Sequence, residues 1–130
     1  MTIELDHAIV PARDRRAAAE LLAGILGVPW SEQGVGPFCQ VFVNEGLTLD
    51  IDQVEGGFPV QHYCFRVDEA AFEAILGRLR QRNIAYRSLP HGPVDMKVNT
   101  DHGGRILYWG EPDGHVWEIL TVSYARRAKA

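Results

Sequence analysis

Leu5-Asp6-His7-Ala8-Ile9-Val10 and Val60-Gln61-His62-Tyr63-Cys64-Phe65 open the two halves of this sequence in the same way. Each is a strand-like run carrying one histidine, and each leads into a segment with helical spacing. In the first half Ala18, Leu21, Leu22 and Ile25 follow that spacing, and in the second Phe72, Ile75, Leu76 and Leu79 do. Asp14 and Asp68 are the expected N-caps. Gly27 and Asn83 are the expected stops, because both residue types tolerate the left-handed conformation that ends a helix. Further out, an aromatic residue follows each helix, Trp30 or Tyr86. Strand-like runs come next, over 39–43 and 47–52 in the first half and over 95–98, 105–109 and 116–122 in the second. The order is strand, helix, then three strands, twice, and such a repeat constrains the fold more than any single propensity. The connection Val54-Glu55-Gly56-Gly57-Phe58-Pro59 marks the boundary between halves. The expectation is one α+β domain spanning 1–130, with a first module over about 1–56, a second over about 60–124 and a short C-terminal tail.

Composition narrows the partners. The chain has 130 residues, 46% of them hydrophobic, enough for one ordinary core but not for a second domain. Seventeen acids against 13 bases give a net charge of −4, so the broad basic face that nucleic acid requires is missing. The one basic run, Arg126-Arg127 with Lys129, reads as a solvated tail. Two cysteines, Cys39 and Cys64, do not make a disulfide scaffold and suggest a reducing compartment. With no signal-like N-terminus and no apolar stretch of membrane-spanning length, the expected location is the cytoplasm, with no membrane partner.

Strand alternation decides which side chains share a face. His7 opposes Ala8 and Val10, and His62 opposes Tyr63 and Phe65, so both histidines point away from the helices. In the last strand Glu118 interrupts the apolar run Val116-Trp117-Glu118-Ile119-Leu120. An unpaired buried carboxylate costs several kcal/mol, so something positive should neutralise it. A divalent cation can do so while accepting lone pairs from two neutral imidazoles, and three protein ligands leave positions open for a substrate. His7, His62 and Glu118 are therefore the expected metal ligands. The repeat places Asp50 opposite Glu118, on a face shared with Thr48 and Asp52, which makes it a candidate fourth ligand. Lys97, Asn99 and Arg105 are candidates to receive an anionic group of the substrate. His91 and His115 read as loop and turn residues, outside the metal set.

These residues resemble the vicinal oxygen chelate superfamily, which includes glyoxalase I, bleomycin and fosfomycin resistance proteins, and extradiol ring-cleavage dioxygenases. The resemblance covers nearly the whole chain. It implies two βαβββ modules forming a U-shaped mixed sheet around a metal-binding cleft, with His7, His62 and Glu118 as ligands. Tyr108-Trp109-Gly110-Glu111-Pro112-Asp113-Gly114-His115-Val116-Trp117-Glu118 fits the dioxygenase signature Tyr-x-x-acid-Pro-x-Gly-x-x-x-Glu. Thr100-Asp101-His102 stands one residue from the place of an upstream Thr-x-His element, which adds His102 to the candidate substrate-binding residues. By resemblance Tyr108 lies beside the metal-bound substrate as hydrogen-bond donor or acid. Ile9 replaces a phosphonate-binding Thr of the fosfomycin enzymes, Asp50 replaces a ligand Glu of glyoxalase I, and Asn44-Glu45-Gly46-Leu47 lacks the additional histidine of the dioxygenases. The expected function is metal-dependent chemistry of dioxygenase or glyoxalase type on a small oxygenated molecule, with one Fe, Mn, Zn or Ni ion per site in a homodimer. The competing expectations are a non-catalytic drug-binding protein, lined by Trp30, Phe42, Trp109 and Trp117, and a fosfomycin-type thiol transferase.

Overall fold

The computed structural model describes residues 1–126; Arg127 and Lys129 of the basic run lie outside the described residues. The chain divides into two compact units, one over Met1–Pro59 and one beginning at Val60. The first contains β1 (His7–Ala12), α1 (Arg15–Leu26), β2 (Trp30–Ser31), β3 (Cys39–Asn44) and β4 (Leu47–Gln53). The second contains β5 (His62–Arg66), α2 (Glu69–Gln81), β6 (Tyr86–Arg87), β7 (Ile106–Gly110) and β8 (Val116–Leu120). Each unit is thus a βαβββ module. Its four-stranded sheet has the order β1-β4-β3-β2 in the first and β5-β8-β7-β6 in the second. In both, the first strand pairs in parallel with the last and the other pairs are antiparallel, giving mixed sheets.

The helices begin where the sequence puts them. Asp14 accepts a hydrogen bond from the Ala17 amide and Asp68 one from the Ala71 amide at 2.8 Å, each satisfying an amide that the first turn leaves free. Gly27, at φ 74°, closes α1, and Asn83, at φ 55°, follows the last residues of α2 in the same left-handed region. In α2 the buried stripe is Phe72, Ile75, Leu76 and Leu79, as the spacing predicts. In α1 it is Ala19, Leu22, Ala23 and Ile25, so Ala19 and Ala23 replace Ala18 and Leu21 of the expected stripe. Replacing Asp68 with alanine is expected to cost about 1 kcal/mol of stability, read as a lower urea midpoint with an unchanged slope.

One expected strand does not form. Residues 95–98 run as irregular chain, with only an isolated bridge from Asn99 to Ile106. The Asp95 carboxylate accepts from the Ser88 and Lys97 amides, and Met96 takes φ 54° while its own amide bonds to the Tyr86 carbonyl. A local carboxylate that captures backbone donors offers them an alternative to a ladder. The third strand of the second module is instead the two-residue β6 at Tyr86, the counterpart of β2 at Trp30.

The Pro112-Asp113-Gly114 turn has its own steric logic. Gly114 sits at φ 93°, and a Cβ there would lie 2.9 Å from the Val60 side chain. Only glycine lets β8 enter the sheet at this point. No helix among the described residues is long and apolar enough to cross a membrane.

Candidate metal and substrate site

The register of the second sheet sets the site. Cys64, Glu118 and Tyr108 are direct cross-strand partners on β5, β8 and β7, so their side chains share one face, with His62 two residues before Cys64. The opposite face carries Tyr63, Trp117 and Trp109; the Tyr63 and Trp117 rings stack at 5.2 Å. Glu118 is completely buried. Its Oε1 lies 2.9 Å from His62 Nε2, and its Oε2 accepts from the Tyr124 hydroxyl at 2.7 Å. The Tyr108 and Tyr124 hydroxyls are 3.5 Å apart, and the Tyr108 and His62 rings are tilted at 6.1 Å. His62, Tyr108 and Tyr124 face a cavity of about 350 Å³, lined also by Val60, Gln61, Pro90, His91 and Val116. Such a volume suits a small organic molecule.

The first sheet repeats the pattern. Ile9 pairs with Asp50 as Cys64 pairs with Glu118, and His7 stands two residues ahead as His62 does, so the repeat is exact at the level of register. The exposed His7 Nδ1 is 2.7 Å from Asp6, whose hydrogen bond raises the imidazole above its ordinary value. Asp50 is buried and accepts from the Gln40 side-chain amide at 3.0 Å.

No family model matches the sequence, and no curated protein does. Among solved structures, the oxidase ChaP-H2 is 41% identical, with a TM-score of 0.89 over 96% of this chain and 98% of its own. A glyoxalase/dioxygenase from Nostoc punctiforme superposes with a TM-score of 0.66 at 19% identity, over 92% of this chain and 91% of its own. The chain belongs to the vicinal oxygen chelate superfamily. Another structure with the superfamily's fold is TnmS3, an antibiotic binding protein from Streptomyces sp. CB03234, at 23% identity and a TM-score of 0.68, covering 94% of this chain and 98% of its own.

Of the ligands expected for a superfamily metal, the structure brings His62 and Glu118 together. Among the described residues no group of three His, Cys, Asp or Glu side chains gathers as a metal-holding cluster. The pair itself fits a cation. His62 Nδ1 lies 3.1 Å from the Val116 carbonyl, which can only accept, so Nδ1 carries the hydrogen. In a neutral ring with that tautomer, Nε2 presents a lone pair to the Glu118 oxygen 2.9 Å away. Two lone pairs at that distance repel unless a proton or a metal ion stands between them. Donor atoms bound about 2.0–2.2 Å from one ion in adjacent positions are roughly 3 Å apart, so the separation suits shared coordination. The carbonyl behind His62 is the outer partner that fixes a ligating imidazole's tautomer, and Asp6 does the same for His7.

The other expected site residues fall into two groups. His102 lies near the site, its ring 5.6 Å from that of Tyr124, and Lys97 is exposed. Asn99 and Arg105 have structural work instead. The Asn99 amide donates to the Ser88 carbonyl while its oxygen accepts from the Asp101 amide. Arg105 bonds Glu69 and Glu73 of α2 and lies over the Phe72 ring at 4.4 Å, on the helix side of the sheet. His115, read from the sequence as a turn residue, is buried and accepts the Gln61 amide on Nδ1 at 3.0 Å, fixing the backbone next to His62.

Sequence reasoning missed Tyr124 and His91. Tyr124 lies beyond the end of β8, but it stands at an even spacing from Glu118, so continuing the alternation points to it. His91, between two prolines, carries no signal of its own. The Cys64 thiol, crowded by surrounding protein and by Glu118, is pushed up to about 12 and stays protonated at neutral pH. Cys64 is therefore no free thiolate nucleophile there.

Proposed function

We propose that this protein is a metal-dependent enzyme acting on a small molecule with two adjacent oxygens, by dioxygenase-, oxidase- or glyoxalase-type chemistry. In this reading His62 and Glu118 hold one divalent ion, Fe, Mn, Zn or Ni, and His7 completes the ligand set, with Asp50 as a candidate fourth. The observation that carries it is His62 Nε2 facing a fully buried Glu118 oxygen at 2.9 Å beside a cavity of about 350 Å³. When bound, the ion supplies Lewis-acid stabilisation of negative charge on the substrate oxygens. The protein's own contribution is orientation. The Val116 carbonyl fixes the His62 tautomer, and the Tyr124 hydroxyl holds one Glu118 oxygen, leaving the other directed at His62. Tyr108, on the cavity wall beside Tyr124, offers its hydroxyl to a substrate oxygen as hydrogen-bond donor. Burial raises its pKa, so it stays protonated and able to donate at neutral pH. Val60, Pro90 and Val116 give the cavity apolar walls. The similarity to an oxidase and to a glyoxalase/dioxygenase supports the enzymatic reading.

A test uses 4-nitrocatechol, whose spectrum reports deprotonation of its adjacent oxygens. Protein loaded in turn with Fe(II), Mn(II), Zn(II) and Ni(II) is titrated with it, and a saturable spectral shift that metal-free protein does not give is expected. Tyr124→Phe is expected to weaken metal retention by about 10–100-fold against a competing chelator, because the carboxylate loses its outer hydrogen bond.

The similarity to TnmS3, with the apolar cavity walls, favours a second reading in which the cavity sequesters a ligand without reaction. Equal binding of the probe by metal-free and metal-loaded protein would select it. We further propose a homodimer. Ile9 is half exposed on the helix-free face of the first sheet, with Phe42 and Thr48 partly exposed on the strands beside it. Light scattering is expected to give twice the mass of one chain.

A further inference from the structure

The groups able to exchange a proton on the cavity wall are His62, His91, Tyr108 and Tyr124. Three of them already have an assigned role. His62 has Nδ1 at the Val116 carbonyl and Nε2 at Glu118; Tyr124 donates to Glu118; Tyr108 lies against Tyr124. His91 is the remaining one, and it makes no hydrogen bond or ion pair to the described residues. It is exposed, so both ring nitrogens are available. Its loop is nevertheless held in place. Arg87 Nε donates to the carbonyls of Leu89 and Pro90, and a second guanidinium nitrogen reaches the Pro90 carbonyl at 2.7 Å. Pro90 restricts the chain just before His91 and Pro93 just after it. A side chain on a clamped loop at the wall of a small cavity is positioned before the ligand arrives, which is what proton transfer requires of its acceptor.

We propose that His91 is a catalytic residue of this site, the base that removes a proton from a hydroxyl of the bound substrate. The assignment rests on the metal-dependent reading above. In the step the substrate O–H bond breaks, its electron pair stays on the oxygen, and an N–H bond forms on the neutral imidazole of His91. The products are an oxyanion and an imidazolium, and the total charge is unchanged. The substrate class follows: a molecule with two adjacent oxygens, at least one of them an acidic hydroxyl as in an enol or a phenol, since an ordinary alcohol holds its proton too tightly for imidazole. The ionisable groups facing His91 across the cavity are His62, Tyr108 and Tyr124, and Arg87 is the cation within its own loop.

The experiment compares zinc-loaded native protein with zinc-loaded His91→Gln, which keeps a hydrogen-bonding side chain but not the base. Zinc per chain and circular dichroism are measured first, and both are expected to match because the residue is an exposed loop position. Binding of 4-nitrocatechol at pH 7.5 is then followed by its spectrum after rapid mixing. The proposal predicts that the oxyanion spectrum forms about 100-fold more slowly in the variant. Equal rates, with equal zinc, would overturn the assignment of His91 while leaving the metal site standing. Native protein that binds no zinc, or that leaves the probe's spectrum unshifted, would overturn the metal-dependent reading, and this assignment with it.

Discussion

Glu118→Gln is expected to lower divalent-ion affinity by more than the roughly 10–100-fold that follows loss of an outer hydrogen-bond partner, and to remove the metal-dependent response to 4-nitrocatechol. Glutamine has the shape of glutamate and can keep the Tyr124 hydrogen bond, so the packing around a fully buried position is preserved. What changes is the charge. His62 then faces a neutral amide, and an ion there loses its anionic donor. The stability of metal-free protein is expected to move the other way or not at all. His62 keeps about half its surface in water, 48%, and needs no buried counter-charge, whereas Glu118 in the native protein has none of its side chain exposed. The hydrated His62 leaves no uncompensated buried charge behind, so the large penalty of breaking a buried pair is not expected. Thermal unfolding of metal-free protein and chelator competition on loaded protein separate the two effects. A variant that lost stability and metal together would point to a structural carboxylate.

The largest effect on stability is expected from Phe72→Ala. Phe72 is completely buried on the stripe of α2, with the Arg105 guanidinium 4.4 Å from its ring centre. Truncating such a side chain costs about 3–5 kcal/mol through lost burial and the cavity left behind, with up to about 1 kcal/mol of cation–π attraction lost as well. That is roughly a fifth or more of the stability of an ordinary domain. Urea unfolding should show a much lower midpoint with an unchanged slope, while any protein that remains folded keeps its metal. Arg105→Ala should cost far less, since its partners Glu69 and Glu73 are mostly hydrated. A comparable loss from both variants would mean that the ion pairs, rather than the ring, hold α2 down.

The contrast between Phe72 and Arg105 shows what the sequence makes legible. The α2 stripe was readable residue by residue because bulky side chains alternate sharply with polar ones. The α1 stripe keeps Leu22 and Ile25 but takes Ala19 and Ala23 in place of Ala18 and Leu21, because alanines stand on several of its faces and give little contrast. Residues 95–98 read as a strand by composition, but Asp95 captures amides that a strand would need. The two-residue strands at Trp30 and Tyr86 are too short to show any period.

In the site, the repeat singled out His7, His62, Glu118 and Asp50, and the two sheets pair their counterparts in the same register. Parity along β7 carries a lesson that composition hides. Tyr108 lies on the Glu118 face, so Arg105, an odd number of residues away, belongs with Leu107 and Trp109 on the helix side, where it bonds α2. Tyr124 is reached by continuing the β8 alternation past the end of the strand, whereas His91 lies on a loop where neither period nor parity applies and only tertiary placement brings it to the cavity.

The central claim is that His62 and Glu118 exist to hold a metal ion. Elemental analysis tests it most directly, on untagged protein prepared anaerobically, with His62→Ala and Glu118→Ala beside the native chain. The account predicts close to one equivalent of a divalent metal per chain in the native protein and almost none in either variant. A native protein that stays metal-free after reconstitution with iron, manganese, zinc and nickel would contradict it and leave a ligand-binding protein as the better description.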